Sequence, residues 1–185
     1  VNLGDKINDA RPNFNAVVSA DGKTLAYTSP GKQGYEIWIS THADSGWTAS
    51  KNITAVLGTG NYMKTCDLSS DGLTMLLALD DPVNSDIYIS HFSKGRWSKV
   101  EPLGKTINSN LQETHASFSP DNNTLYFTSN RKGGEGDLDI YKSVMTSKGE
   151  WGKPENLGPG VNTPFNEETP FVSDDGQVLF FSSEG

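Results

Sequence analysis

Residues Phe118–Tyr141 read FSPDNNTLYFTSNRKGGEGDLDIY, and this stretch decides the fold. It holds a turn at Asp121-Asn122, the apolar run Leu125–Phe127 and the triplet Asp139-Ile140-Tyr141. Asp and Asn tolerate the positive φ that tight hairpins need. Neighbouring apolar positions after the turn indicate a strand covered on both faces. The stretch therefore predicts a hairpin followed by a third strand.

The same pattern recurs along the chain. Turns of this type are centred on Asp21, Asp71, Asp121 and Asp175, which are 50, 50 and 54 residues apart. The segment from turn aspartate to triplet acid has 15, 15 and then 18 residues. Two further markers keep this register, namely the tryptophans Trp47, Trp97 and Trp151 and the triplets Glu36-Ile37-Trp38, Asp86-Ile87-Tyr88 and Asp139-Ile140-Tyr141. The chain is therefore a repeat protein.

Each repeat unit predicts four strands. The first precedes the turn, the second follows it, the third carries the triplet, and the fourth runs from the tryptophan to a Leu or Ile. A four-stranded sheet repeated about every 50 residues is typical of a β-propeller blade. We predict an all-β, single partial β-propeller with three complete blades and a partial fourth, divided at about residues 3–52, 53–102, 103–156 and 157–185.

Both ends of the chain fall inside repeat units. Val1–Gly4 matches the end of a fourth strand, and Phe181–Gly185 matches the end of a second strand. Propellers close with about 4 to 8 blades. We expect a fragment of a larger propeller, or a chain that another chain completes.

Composition narrows the function classes. The net charge is −8 without a basic cluster, which argues against nucleic acid as a partner. No apolar stretch approaches the roughly 20 residues of a membrane span, and no signal peptide opens the chain. The single cysteine, Cys66, excludes a disulfide within the chain. No cofactor is expected.

The motif from Phe118 to Arg131, with its following triplet, resembles the TolB-type, WD-like propeller repeat. Leu103-Gly104 with Ile107-Asn108 and Glu113 resembles a version found in cell-envelope proteins of Bacteroidetes-like bacteria, where propellers often precede a peptidoglycan-binding OmpA-like domain. Leu157-Gly158 with Val161-Asn162 and Glu167 repeats it. The resemblance implies a periplasmic or outer-membrane-associated protein with a protein partner, and peptidoglycan contact through a domain outside this chain. The earlier repeats depart from the pattern at Asn13, Gly58 and Met63.

Two classes of loop share one end of a propeller blade, and that end is the usual ligand surface of such folds. The loops before the first strand carry Asp9, Arg11, Asn61, Lys64, Asn110, Glu113, His115, Asn166, Glu167 and Glu168. The loops between the second and third strands carry Lys32, Asp80, Asp81, Asn130, Arg131 and Lys132. Among these we predict a binding face at Arg11, Asn110, Glu113, His115, Arg131, Lys132, Glu167 and Glu168. The alternative is that Glu113 and Glu167, which recur with the repeat, brace neighbouring blades by hydrogen bonds.

Glu135, Asp137 and Asp139 alternate in a Gly-rich loop, and calcium prefers such oxygen ligands. The EF-hand pattern is absent, however, and Asp139 belongs to the triplet series with Glu36 and Asp86. Bonding to local backbone is the favoured role of these acids, so no metal site is predicted and calcium stays an alternative.

Catalytic signatures are missing from the sequence. It has neither the G-x-S-x-G nucleophile elbow nor the H-E-x-x-H zinc motif. We therefore predict a non-catalytic interaction or scaffold module. Two alternatives stay open: the propeller of a peptidase whose catalytic domain lies outside this chain, and a carbohydrate-binding propeller that uses Glu113, Glu167 and Glu168.

Overall fold

The computed structural model describes residues 2–60, 62–81 and 83–185. Val1 and Asn61, which the sequence assigns to a strand end and a loop, lie outside the described residues. The chain divides into two compact units. Unit 1 comprises Val1–Leu77 and Ile89–Glu101, and unit 2 comprises Ala78–Tyr88 and Pro102–Gly185. Within the described ranges, no helix is long and apolar enough to cross a membrane.

The described residues form four sheets, one for each predicted repeat. The first has the order β1-β2-β3-β4, with β5 also pairing with β3, and its strands are β1 (Phe14–Val18), β2 (Thr24–Gly31), β3 (Gly34–Ala43), β4 (Gly46–Trp47) and β5 (Lys51–Asn52). A four-residue helix, α1 (Thr54–Leu57), follows. The second has the order β10-β8-β7-β6, with β9 pairing with β8, and comprises β6 (Met63–Leu68), β7 (Thr74–Leu79), β8 (Ile87–Ser93), β9 (Arg96–Trp97) and β10 (Glu101–Pro102).

The third sheet has the order β11-β12-β13-β14, formed by β11 (Glu113–Phe118), β12 (Thr124–Ser129), β13 (Asp139–Val144) and β14 (Glu155–Asn156). The last contains β15 (Glu167–Val172) and β16 (Leu179–Ser183). The pairings in the third and last sheets are antiparallel. The prediction of an all-β chain built from antiparallel sheets is therefore confirmed.

The second strand of each complete sheet supplies the core. Leu25, Ala26 and Tyr27 are consecutive and all buried, and so is the run Met75–Ala78. A strand with successive side chains buried is covered on both faces, since those side chains point to opposite sides of the sheet. In unit 1, β6 packs against β1, β2 and β3, and in unit 2, β15 packs against β11 and β12.

A serine and an aspartate organise each hairpin between the first two strands. In the first hairpin, Ser19 Oγ donates to Asp21 Oδ1 (2.6 Å) and accepts from the Thr24 amide (3.0 Å). The serine hydroxyl, with the amide two residues after the aspartate, holds the pKa of the aspartate below its ordinary value. The same bonds recur in the turns at Asp71, Asp121 and Asp175.

The residue after the turn aspartate has a left-handed backbone. Its φ is 69° at Gly22 and 58° at Asn122, and similar angles occur at Gly72 and Gly176. Gly reaches this region without a steric cost, and Asn is the side chain that tolerates it best. The sequence prediction of positive φ at these turns is confirmed.

The fourth strand differs from the prediction because it is interrupted. In the first sheet, residues 48–50 separate β4 from β5. Ser40 Oγ donates to the Thr48 carbonyl (2.7 Å), and the Ser50 amide donates to the Lys6 carbonyl (3.2 Å) instead of continuing the ladder. The Thr48 amide still donates to the Thr41 carbonyl of β3 (2.9 Å). Because the Ser50 amide bonds Lys6 instead of β3, the fourth strand becomes two short segments.

The segment after the fourth strand hydrogen-bonds to the backbone of the central isoleucine in the triplet of its own repeat. Asn108 Oδ1 accepts from the Ile87 amide and Asn108 Nδ2 donates to the Ile87 carbonyl, both at 2.9 Å. Asn162 clamps Ile140 in the same way (2.8 and 3.0 Å). In the first repeat, Thr54 Oγ1 accepts from the Ile37 amide (2.9 Å). In each case, a side chain of the linker makes hydrogen bonds to the third strand that a further strand would otherwise make.

We expect Gly22→Val to lower the free energy of unfolding by about 1–2 kcal/mol, because an L side chain is strained at this φ. The space around Gly22 is open, so the loss reports on the backbone alone. Gly22→Asn is the matched control and should cost less, since Asn122 occupies the equivalent position. Urea denaturation measures both, and equal losses would contradict the left-handed requirement.

We expect Asn108→Ala to cost about 2–3 kcal/mol, because it leaves the buried Ile87 amide without an acceptor. Asn8 occupies the same position in the first linker, but it is exposed and its side chain bonds Asn2. Asn8→Ala should therefore change stability by less than about 0.5 kcal/mol. Urea denaturation compares the two variants, and hydrogen exchange should show faster exchange at Ile87 in Asn108→Ala. A similar small loss in both would refute the clamp.

Candidate functional site

Glu113, a predicted member of the binding face, is buried at the start of β11. Its Oε2 accepts from the Ser109 amide (2.7 Å). Its Oε1 accepts from Ser109 Oγ (2.8 Å), Ser129 Oγ (2.6 Å) and Arg131 Nη2 (3.2 Å). The carboxylate thus ties the loop before the first strand to the end of the second strand. Its oxygens are engaged within the protein and have no exposed surface.

Glu167 repeats this arrangement in the last sheet. It accepts from the Thr163 amide (2.8 Å), from Thr163 Oγ1 (2.6 Å) and from Ser183 Oγ (2.6 Å). Burial by itself would raise the pKa of Glu167, but these three hydrogen bonds together lower it below the ordinary value. The geometry therefore favours a structural role for both glutamates. Their side chains bond inside their own repeats and do not brace neighbouring blades as the sequence alternative proposed.

The sequence contains a signal for this pairing. The serine always follows the glutamate by 16 residues, as in Glu113 with Ser129 and Glu167 with Ser183. In the second repeat both positions become apolar, with Met63 and Leu79. In the first repeat the serine is kept as Ser29, but asparagine (Asn13) replaces the glutamate, so the full pair occurs only in the third and last repeats.

Arg131 is held on several sides. Its guanidinium lies 4.8 Å from the Phe127 ring centroid and 5.1 Å from that of Tyr141. Nε donates to Ser129 Oγ (3.0 Å), and Nη2 donates to the Ile107 carbonyl and to Glu113. Only 17% of the side chain is exposed. Arg131 therefore belongs to the support of the loop more than to its surface.

Arg11 makes a comparable arrangement in unit 1. It donates to Asp9 Oδ2 from Nε (2.9 Å) and Nη2 (2.6 Å), and to Glu36 Oε2 from Nη1 (3.1 Å). Its guanidinium lies 4.6 Å from the Trp38 ring centroid. The hydrogen bonds from Arg11 hold the pKa of Asp9 below its ordinary value. An arginine from a different loop thus covers the third-strand aromatic, as Arg131 does.

The three triplet acids have different surroundings. Glu36 accepts from Arg11 and from Trp38 Nε1 (3.2 Å). Asp139 accepts from the amides of Glu135 (2.8 Å) and Gly136 (3.2 Å). Asp139 therefore bonds local backbone as predicted, whereas Glu36 bonds side chains instead. Asp86 departs from the prediction, because its Oδ1 is buried and has no hydrogen-bond partner among the described residues.

The Gly-rich loop is shaped around Asp139. A Cβ at Gly134 would lie 1.6 Å from Asp139 Oδ2, and one at Gly136 would lie 2.1 Å from the Phe165 carbonyl oxygen. Both glycines are therefore required by close approach. Asp139 is buried, whereas Glu135 and Asp137 are exposed, and no group of three His, Cys, Asp or Glu in the described part of the chain is placed to hold a metal ion. The geometry gives the calcium alternative no support.

The remaining candidates lie at the surface of unit 2. Asn110 and Lys132 are exposed, while His115 and Glu168 are half-buried. The loops that carry the first two meet, because the Asn130 amide donates to the Gln112 carbonyl (3.2 Å). The structure therefore brings Asn110 and Lys132 to one end of the third sheet. Arg11 belongs to unit 1.

Unit 1 contains a pocket that the sequence did not indicate, with a volume of about 290 Å³. Its lining includes Ile53, Val56, Phe92, Trp97, Lys51 and Arg96. Apolar walls with exposed cations suit an apolar group that carries negative charge. The sequence interpretation of Trp97 as a packing residue agrees with its burial and its ring contact with Phe92 (5.5 Å). The pocket arises where separate hairpins meet, which no local motif records.

We expect Gly136→Ala to lower the stability of the chain by about 1–3 kcal/mol, since the new methyl group would meet backbone oxygens of residues 163 and 165. Gly160→Ala is the matched control, because that site is open and its φ is not left-handed. Thermal unfolding followed by circular dichroism measures both. If Gly136→Ala were as stable as the control, the loop would not be anchored as described.

No protein-family model matches the chain, and none of the curated proteins matches it in sequence. Solved structures share its fold. TolB from Acinetobacter baumannii superposes with a TM-score of 0.64 at 21% identity, over 95% of this chain and 39% of that one. The β-propeller domain of Cps50 (Swd1) from Myceliophteria thermophila gives 0.55 at 12% identity, over 94% and 51%.

A candidate 6-phosphogluconolactonase from Bacteroides uniformis gives a TM-score of 0.52 at 17% identity, over 97% of this chain and 50% of that one. The chain therefore spans about two fifths to one half of the length of these three proteins. Their names describe unlike functions, so the similarity speaks for the fold and leaves the activity open. The chain has TolB-like and β-propeller proteins as its structural neighbours.

Proposed function

We propose that the chain is a run of β-propeller blades, three complete and one partial, from a larger propeller, and that it serves as a non-catalytic protein-interaction module of a bacterial cell envelope. The 50-residue register, the sheets that recur with it and the fold shared with TolB support the propeller assignment. The envelope assignment rests on the resemblance of the Leu-Gly and Ile-Asn linkers.

One observation carries the non-catalytic part of the proposal. The recurring carboxylates at the loop end, Glu113 and Glu167, are buried and bonded to side chains and amides of their own repeats. A general acid or base must reach the proton of a substrate within about 3 Å or through one water molecule. A carboxylate with its oxygens engaged and no exposed surface is poorly placed for that task. It is well placed to hold a loop rigid.

A rigid loop end with a varied surface suits recognition of a protein. The Glu113 network fixes the loops, and the longest insertion among the repeats lies beside it, in the loop at residues 130–138. Asn110 and Lys132 are exposed there, together with Glu135 and Asp137. Mixed charge over a braced scaffold offers hydrogen bonds at low ordering cost. We assign the contact surface to this end of unit 2.

Hydrolysis is the competing function, since a candidate 6-phosphogluconolactonase has the same fold. Purified protein should therefore be assayed with 6-phosphogluconolactone and with a peptide substrate. We expect no turnover above the rate without protein. Turnover that Glu113→Gln abolishes would replace the interaction role by an enzymatic one.

Site-specific photo-crosslinking tests the contact surface directly. The gene in its own cell should encode a photoreactive amino acid at Lys132 or, as the matched control, at Lys148. Both lysines are exposed and they lie beyond opposite ends of β13. We expect position 132 to crosslink one envelope protein, and Lys132→Glu to weaken that contact at least tenfold.

Crosslinks from position 148 alone, or from the turns at Asp21, Asp71 and Asp121, would place the contact at the other end of the sheets. Recovery of the protein in the cytoplasmic fraction would contradict the envelope assignment.

A further inference from the structure

The first repeat shows how a third-strand pair of acid and aromatic binds a guanidinium. Glu36 and Trp38 are two residues apart on β3, so their side chains lie on the same face. Arg11 donates to Glu36 (3.1 Å) and stacks on Trp38 with a centroid distance of 4.6 Å. Pairing with a carboxylate and stacking on a ring are the two interactions that guanidinium combines best.

The second repeat has the same pair without an arginine. Asp86 and Tyr88 stand where Glu36 and Trp38 stand in the first repeat. Within the described ranges, no cation contacts the Tyr88 ring, and the buried Asp86 Oδ1 lacks a hydrogen-bond partner. Both residues are half-buried, so part of each side chain is exposed to solvent, although Asp86 Oδ1 itself is covered.

The surroundings of Asp86 favour an incoming positive charge. Burial raises the pKa of Asp86, and the nearby negative charge of Glu113 raises it further. The acceptors of Glu113 are already used by Ser109, Ser129 and Arg131. A buried acceptor without a donor is unfavourable, and a partner that supplies a donor relieves this when the carboxyl group turns toward it.

We propose that Asp86 and Tyr88 form the receptor for an arginine side chain of a protein partner, with the carboxylate pairing and the ring stacking as Glu36 and Trp38 do with Arg11. The inference rests on the proposed interaction function and names the chemistry of the partner. Arginine is favoured over lysine because its planar group makes both contacts at once. The net charge of −8 makes a basic partner the complementary one.

The test uses N-acetyl-arginine amide as the probe and NMR spectroscopy of the protein as the readout. We expect the Tyr88 ring and Asp86 carboxyl signals to shift and saturate at millimolar probe, and the Asp86 carboxyl to titrate at lower pH when the probe is bound. N-acetyl-lysine amide should bind more weakly, and N-acetyl-norleucine amide should cause no such shifts.

Two variants separate the two contacts. Asp86→Asn should weaken binding of the arginine probe at least tenfold, and Tyr88→Leu should weaken it about threefold or more. Asp174→Asn is the matched control, since it makes the same charge change at an exposed position and should leave binding unchanged.

Folding of Asp86→Asn is checked separately. The pKa of Asp86 is raised in the fold, so charging it costs stability as the pH rises above the ordinary value of 3.8. Asparagine removes that cost, and the variant should unfold at the same or a higher temperature than the parent at pH 7.

Equal shifts with the norleucine probe, or unchanged binding in Asp86→Asn, would overturn the arginine receptor. If the probe fails while position 132 still crosslinks a partner, the interaction function stands and this site is wrong. If the probe binds Asp86 and position 132 crosslinks nothing, the receptor chemistry stands and the proposed contact surface is wrong.

Discussion

The backbone of one buried isoleucine in each complete repeat is the constraint on which the sheets depend. Ile37, Ile87 and Ile140 have no exposed surface, so their amides and carbonyls must bond within the protein. The fourth strand is too short to do this alone. Asn108 and Asn162 supply the amide acceptor and a second donor to the carbonyl. The linker thereby becomes part of the preceding sheet, which fixes where the next repeat begins.

The linker side chains close the third strand, but the loop end of each sheet needs stabilising contacts of its own. The repeats supply these contacts with different side chains. The third and last use Glu113 and Glu167 with a serine 16 residues later. The second replaces the polar pair with Met63 and Leu79. The shared architecture tolerates either solution, because a buried acceptor with its donors and an apolar pair both leave no polar group without a partner.

In unit 2, the residues that support the loops differ from those exposed on them. Arg131 is used inside unit 2, where it bridges Glu113 and two aromatic rings. Lys132, its neighbour in the chain, is exposed. In the proposed interaction role, contact with a partner depends on the few side chains that the supporting network does not use.

The sequence alone determined the strand order within a repeat, the left-handed turns and the register of triplets and tryptophans, because these depend on neighbours a few residues apart. It placed Asn110, Arg131 and Lys132 in loops, as the structure does. Glu113, His115, Glu167 and Glu168, which it also assigned to loops, lie in β11 and β15. Only the tertiary structure decided that Glu113 faces inward, that Arg11 and Arg131 cover third-strand aromatics, and that Asp86 lacks such a partner. Each of these depends on groups 16 or more residues apart that meet through strand pairing and loop closure. A periodic pattern shows which positions recur, but it does not show which donor reaches which acceptor.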